Sequence, residues 1–426
     1  MQYASEIGAA VDLLFEDEVA FLAELVSLPS LRGQEATAQD FMADQFRTRG
    51  YDVDQWRIEI DQIAHLPGFS PVVGTTYDNA FNVVASHRPR RKTGRSLILN
   101  GHIDVVPVGP LDMWTTPPFQ PRIQDGWMYG RGAGDMKAGL AANLFALDAL
   151  RHCGLQPAAE VYQQSVVEEE CTGNGALACL QRGYRADAAL ISEPTASHLS
   201  VAQVGVIWMQ LTVRGTPAHA AYASEGFNAI EAIWPISQAL HRLEAEWNAE
   251  RPQVYIDHDV AHPLNFVISG IEGGDWTSSV PAWCTINIRI GIYPDTDVES
   301  KRAEVERVIA LAARDNPQLS NNPPQIVYHG FLAPGYALPR GTAQETALAQ
   351  AHRAVHGGEL PTAAFTALTD ARFFGLYQDT PALVYGPRAE FIHGFDERVD
   401  LESLRQVTKT IALFVADWCG VEPVSA

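Results

Sequence analysis

The stretch "LILNGHIDVV" (97–106), followed about thirty residues later by "GRGAGDMKAGL" (130–140), constrains this chain more than any other feature. Leu97 to Asn100 read as a short buried strand, and in sheets built from such strands ligands gather at the carboxyl ends. His102 falls just past that end. Asp104 stands two residues on, where an extended backbone sets it on the same side as His102, ready to accept the second N–H of the imidazole. Asp135 sits at the glycine-rich start of a helix whose Leu140, Leu144, Leu147 and Leu150 recur at helical spacing. Taken alone, a His-x-Asp after a strand is more often a hydrogen-bonded structural pair than a ligand set. "GRGAGD" lacks the Gly-Lys-Ser/Thr of a P-loop and the third glycine of a dinucleotide turn, so phosphate binding is not expected.

The 426 residues allow two or three domains, and 46% hydrophobic with 19% charged residues is the composition of a globular protein. No apolar run reaches the length of a membrane span, and the acidic start "MQYASEIGAAVDLLFEDE" has no signal-peptide pattern, so no membrane contact and a cytoplasmic location are expected. Cys153, Cys171, Cys179, Cys284 and Cys419 are odd in number and scattered, as reduced structural thiols are. A net charge of −21 argues against nucleic acid as a partner. The one basic run, "RPRRKTGR" (88–95), reads as a solvated loop between two strands.

Val19, Leu22, Leu25 and Val26 mark a helix face that stops at Pro29, and a second helix through Phe41, Met42 and Phe46 ends at Gly50. "FNVVAS", "SLILN", "VYQQSVV", "AALIS" and "PALVYG" read as strands with helices between several of them. The fold class is therefore α/β, a mostly parallel sheet with helices on both faces. From Val204 the rhythm becomes β-α-β-β-α-β, the ferredoxin-like α+β unit. The chain then returns to the first unit, which predicts a larger domain over 1–203 and 332–426 with a smaller one inserted at 204–331, joined by two crossings that permit hinge movement.

Glu168, Glu169 and Glu170 follow the buried strand "VYQQSVV" directly. Three acids in a row are commonly a surface loop, but these leave an apolar strand, where repulsion favours a counter-cation. Glu193 emerges from the strand in "ISEPT", and His393 follows the last strand in "FIHGFDE". Together His102, Asp135, one or two of these glutamates, Glu193 and His393 offer more donors than one divalent ion needs. Two ions roughly 3.5–4 Å apart would use them all. Mixed nitrogen and oxygen donors suit zinc, with cobalt or manganese as substitutes.

The stretches "GHIDVVP", "GRGAGDMKAGL", "VVEEECTGNGA", "ISEPT", "GTPAHAAYASEGFNAI", "SVPAWCTINIRI" and "HGFDERV" span nearly the whole chain. In order and spacing they resemble the metallopeptidase and deacylase family of acetylornithine deacetylase, succinyl-diaminopimelate desuccinylase, aminoacylase and glutamate carboxypeptidase. The resemblance implies that His102 and Glu193 bind one metal and Glu170 and His393 the other, with Asp135 bridging and Asp104 orienting His102. Aligning the glycines of "TGNG" makes Glu169 the general base; sliding the match by one residue makes it Glu168. The base would take a proton from a water held between the ions and pass it to the leaving amine. His219, in a loop after the inserted unit's first strand, matches a histidine that the family contributes from the partner subunit to the oxyanion, which implies a homodimer. Without the resemblance it reads as a loop residue bonded to its own turn.

Arg289 in "INIRI" matches the residue that holds a substrate carboxylate, a task for a bidentate guanidinium, and Asn265 is a candidate for the same pocket. Asp370 and Arg372 in "ALTDARFF" are equally well a structural ion pair. Ser278 and Ser279 replace the family's asparagine pair before "VP", and Arg388 replaces the second glycine of "GPG". The expected function is hydrolysis of the amide bond in an N-acylated amino acid or related small amine. The alternatives are a dipeptidase or carboxypeptidase on short peptides, and a catalytically silent metal-dependent binding protein. A cysteine-nucleophile amidase would rest on Cys171 alone, whose acidic neighbours blunt a thiol.

Overall fold

The structure, a computed structural model, describes residues 3–424. In chain order its principal elements are α1 (Ala4–Ser27), β1 (Asp52–Arg57), β2 (Phe81–His87), β3 (Leu97–His102), α2 (Ala138–His152), β4 (Val161–Val166) and β5 (Ala188–Ile191). There follow β6 (Gly205–Arg214), α3 (Ala229–Ala249), β7 (Phe266–Gly273), β8 (Trp283–Ile292), α4 (Val298–Arg314) and β9 (Gln325–Ala333), then β10 (Ala382–Val384) and α5 (Leu401–Trp418).

The first sheet runs β1-β2-β4-β3-β5-β10. Its β4, β3, β5 and β10 are parallel, and β1 and β2 extend it antiparallel. Leu97, Ile98 and Leu99 are fully buried, because helices cover both faces of a parallel sheet and leave no side for polar residues. On one side α1, α2 and α5 pack against each other, with Leu22, Leu25, Leu144, Leu147, Ile411 and Phe414 at most 1% exposed.

The second sheet, β7-β8-β6-β9, is antiparallel throughout, the ferredoxin-like order. Ile207, Met209, Leu211 and Val213 of β6 alternate inward with Ile286, Ile288 and Ile290 of β8 to form a core under α3 and α4. The opposite face, with Trp208, Gln210 and Thr212, stays half-buried. Where the chain crosses into and out of this sheet the backbones nearly touch. A Cβ on Gly205 would lie 2.5 Å from the Ala333 carbonyl oxygen, and one on Gly335 2.5 Å from that of Gln203. Only glycine fits either position.

The basic run is not a free loop. Arg90 N–H donates to Glu422 Oε1 at 2.7 Å, Lys92 Nζ to Glu160 Oε2 at 2.8 Å, and the Arg95 guanidinium lies 3.6 Å from the Trp418 ring centroid. Glu422 of the last strand, Trp418 at the end of α5 and Glu160 just before β4 pin it down. Among the described residues no helix is long and apolar enough to cross a membrane, and all five cysteines are free.

Candidate metal centre

The strand ends in the parallel half of the first sheet, and the loops that follow them, deliver polar groups to a common point. His102 closes β3, Glu169 and Glu170 follow β4, Glu193 follows β5, and His393 lies in the loop after β10. Asp135 arrives from the turn that precedes α2. His102 Nε2 is 3.0 Å from Asp135 Oδ1, 3.7 Å from Glu193 Oε1 and 3.8 Å from Glu169 Oε2. On the other side His393 Nε2 is 3.0 Å from Glu170 Oε2 and 3.4 Å from Asp135 Oδ2. The Asp135 carboxylate thus turns one oxygen to each imidazole, and two half-sites share it.

The donor set fits divalent cations. Burial resists charge on His102, yet Glu193, Asp135 and Glu169 together hold its pKa well above the ordinary value. Burial likewise resists charge on His393, and Glu170 with Asp135 raises it to about 11. Burial first, then neighbouring carboxylates, push Glu169 and Glu193 up. A pocket that binds protons this tightly is short of positive charge, which two divalent ions would supply. Two groups of donors, His102/Asp135/Glu170 and His102/Glu169/Glu193, each lie within 4.8 Å of one another. Glu169 Oε1 is buried and has no hydrogen-bond partner among the described residues.

The three adjacent glutamates differ sharply in surroundings. Glu168 has a left-handed backbone, φ 68°, and is 2% exposed. Its carboxylate accepts from Arg32 Nε at 2.5 Å and Arg32 Nη2 at 2.7 Å, from the Tyr77 hydroxyl at 2.7 Å and from Thr172 Oγ1 at 2.9 Å. Glu169 and Glu170 instead line a cavity of about 430 Å³ together with Asp135, Glu193 and His393.

Asp104 corrects the expectation from spacing. The acceptor beside His102 Nδ1 is the Asp104 backbone oxygen at 2.8 Å, and its carboxylate is 3.6 Å away. That carboxylate accepts from the backbone N–H groups of Glu169 at 3.3 Å and Glu170 at 3.1 Å. The chain leaves the strand at His102, so the alternation that would have turned Asp104 toward the ring ends one residue too early.

Arg131 and Glu397 were not singled out in the sequence, although both lie inside motifs quoted for it. Glu397 Oε1 accepts from Gly134 N–H at 3.0 Å and Asp135 N–H at 3.1 Å, and Oε2 accepts from Arg131 Nη1 at 2.6 Å. Arg131 Nη2 donates to the Gly394 carbonyl at 3.0 Å.

The remaining candidates divide. Arg289 lines the cavity, with one long contact to the Thr366 carbonyl at 3.4 Å and burial lowering its pKa. Asn265 does not line it; its carbonyl accepts from Gly291 N–H at 3.3 Å. His219 stands exposed on the inserted unit, outside the cavity lining. Its Nδ1 accepts from Ala221 N–H at 3.0 Å, so the neutral ring carries its hydrogen on Nε2. Ser279 bridges to His219 and the Ser278 carbonyl accepts from Ala220 N–H, while Arg388 pairs with Glu390 and stacks on Trp127; none of the three lines the cavity. Arg372 donates to the Thr172 carbonyl at 2.9 Å, whereas both Asp370 carboxylate oxygens lack partners. Burial pushes the Cys171 thiol well up, with Glu168 and Asp104 adding to it against Arg32.

The sequence model of peptidase family M20/M25/M40 matches residues 98–417. The chain is 30% identical over 439 aligned residues to the N-formyl-4-amino-5-aminomethyl-2-methylpyrimidine deformylase of Halalkalibacterium halodurans, covering 97% of each. It is 29% identical to the protein of the same name in Bacillus subtilis, covering 90% of this chain and 89% of that one. Among solved structures, the dipeptidase Dug1p of Saccharomyces cerevisiae superposes with a TM-score of 0.80 at 18% identity, over 98% of this chain and 99% of that chain. Human carnosine dipeptidase 1 superposes with 0.78 at 16%, with the same coverage. At such identities the structures share the fold.

Proposed function

The chain belongs to peptidase family M20/M25/M40, and from that premise we propose that it removes a small acyl group, formyl foremost, from the amine of a compact, ring-bearing molecule. The observation that carries this reading is the cavity itself. About 430 Å³, with Trp208, Phe331 and Phe365 in its wall and the carboxylate cluster at its base, has room for a ring and a short acyl arm. The deformylase relatives, aligned over nearly their whole length, support the same choice.

His102 and Glu193 would hold one divalent ion, Glu170 and His393 the other, with Asp135 between them. We assign zinc, which this mixture of nitrogen and oxygen donors suits. When bound, such ions supply Lewis acidity, lowering the pKa of a water and polarising the amide carbonyl. Glu169, whose Oε1 is buried without a partner among the described residues, would act as general base, taking a proton from the water that adds to the amide carbon and returning it to the departing amine. Asp104 keeps Glu169 and Glu170 in place through their backbone N–H groups. His219 Nε2–H would come from a second copy to the carbonyl oxygen as charge develops there. Exposed Ile271 and Val267 on edge strand β7, with Trp276 beyond it, support a homodimer through the inserted unit, read as the lid over 204–331. The five free thiols support a cytoplasmic location.

A second reading, dipeptidase or carboxypeptidase, draws on Arg289, a cavity guanidinium that a peptide's terminal carboxylate would satisfy. A hydrolysis panel of N-formyl, N-acetyl and N-succinyl amines and amino acids against dipeptides, with and without added zinc, separates the two. N-formyl amines should be cleaved fastest. Faster turnover of dipeptides than of any acylated amine overturns the deacylase reading.

A further inference from the structure

Gln203 ends the strand Leu199–Gln203, immediately before the chain enters the inserted unit. It is 1% exposed in general terms, yet it is part of the cavity wall. Its amide orientation is fixed by a neighbour. Thr369 Oγ1 accepts from Ala371 N–H at 3.2 Å and donates its single hydrogen to Gln203 Oε1 at 3.0 Å. The oxygen faces Thr369, and Nε2 takes the other side, 3.4 Å from Ser200 Oγ.

A primary amide has two N–H hydrogens and two oxygen lone pairs. Thr369 uses one lone pair and Ser200 one hydrogen. One donor and one acceptor remain, on a residue of the cavity wall. A glutamine amide in that state matches an edge that offers an acceptor next to a donor, as a ring nitrogen flanked by an amino group does; glutamine reads adenine in that way. The other walls suit the body of such a molecule. Trp208 and Phe331 meet edge to face with centroids 5.2 Å apart, and Phe365 adds a third ring to the lining. Aromatic side chains bind planar rings by offset or edge contact.

We propose that Gln203 is the specificity-determining residue of this site, selecting a planar nitrogen heteroaromatic amine by the paired donor and acceptor on its ring edge. This rests on the deacylase reading, since it names the body that carries the acylated arm. A ring without that edge leaves the remaining N–H and lone pair of the amide unused and forgoes their two hydrogen bonds.

The test compares two N-formyl substrates, one built on 5-(aminomethyl)pyrimidin-4-amine and the other on benzylamine, which has the same arm and no hydrogen-bonding edge. The wild-type protein should favour the first by about ten- to a hundredfold in kcat/KM. Gln203→Leu and Gln203→Glu should each bring that ratio close to one, mainly through KM. Equal kcat/KM for the two substrates in the wild type, or a full preference surviving in both variants, overturns the assignment to Gln203 while the deacylase reading stands. A wild type that cleaves neither formamide but does cleave dipeptides overturns both. The wild-type comparison decides even where a variant fails to fold.

Discussion

Arg131 and Glu397 form an ion pair at 2.6 Å across 266 residues of chain, with neither side chain more than 2% exposed. The pair sits behind the metal centre, not in it. Through Glu397 it fixes the backbone of Asp135, and through the Gly394 carbonyl it fixes the residue next to His393. Two donors from opposite ends of the sequence are thereby set at one spacing.

Glu397→Gln should weaken divalent-metal affinity by about 10–100-fold, the usual cost of losing a partner behind a ligand. It should also lower stability by about 3–5 kcal/mol, because Arg131 is left as an unpaired buried charge. Metal titration and thermal unfolding measure the two effects. Metal affinity equal to that of the wild type would show that Asp135 is held by its own turn.

Glu169→Gln and Glu168→Gln should fail in different ways. The first should retain metal and fold while kcat falls by about 10²–10⁴-fold, the range of a lost general base. The second should chiefly lose stability, since Arg32 then faces an amide that cannot neutralise it. If Glu168→Gln lost turnover with unchanged stability, the proton acceptor would be Glu168.

Arg289→Ala should raise KM for N-formyl amino acids and dipeptides by about 10–100-fold, corresponding to a charged hydrogen bond of about 1.5–3 kcal/mol. N-formyl amines without a carboxylate should be affected less. A uniform effect on both classes would remove Arg289 from carboxylate recognition.

Glu18, on α1 and 1% exposed, gives stability a pH dependence. Thr408 Oγ1 lies 2.6 Å from Glu18 Oε1 and 3.0 Å from the Leu404 carbonyl, and one hydroxyl hydrogen cannot serve both. A protonated Glu18 supplies the second hydrogen. Burial, with Asp148 adding to it against the Thr408 bond, raises its pKa from 4.5 to about 8. The folded pKa lies above the unfolded one, so the contribution is complete below about pH 4.5 and is lost as pH rises toward 8. Over that window the slope approaches about 1.4 kcal/mol per pH unit. Denaturant unfolding of Glu18→Gln should be flatter between pH 5 and 8 and more stable than wild type at pH 8. Parallel curves for the two proteins would mean that Glu18 stays ionised in the fold.

Much of this arrangement was legible in the sequence because several of the clustered residues stand where an apolar strand stops. His102 after "LILN" and Glu193 after "ALIS" are strand ends marked by what precedes them, and parallel strands end on the same edge. The inserted sheet was equally legible, since β6 and β8 alternate buried and half-buried residues along their length. What did not show was any relationship depending on where the backbone turns. Asp104 was expected at the ring and instead holds the Glu169 and Glu170 amides, because the strand ends one residue before alternation could apply. Arg131 and Glu397 are adjacent only after folding, and no spacing rule reaches across 266 residues. Trp208, Phe331 and Phe365 read as ordinary strand aromatics until two units of the fold bring them to one cavity. The basic run is the exposed loop expected of it; its acidic partners, Glu160 and Glu422, did not show because they are remote in sequence.

The metal-facing residues are strung from position 102 to position 393, with the whole inserted sheet synthesised between Glu193 and His393. A nascent chain therefore completes its second half-site only as the last tenth of it emerges, when α5 also becomes available to cover α1 and α2. Proteolytic nicking near residue 393 would silence the enzyme while leaving most of its mass intact.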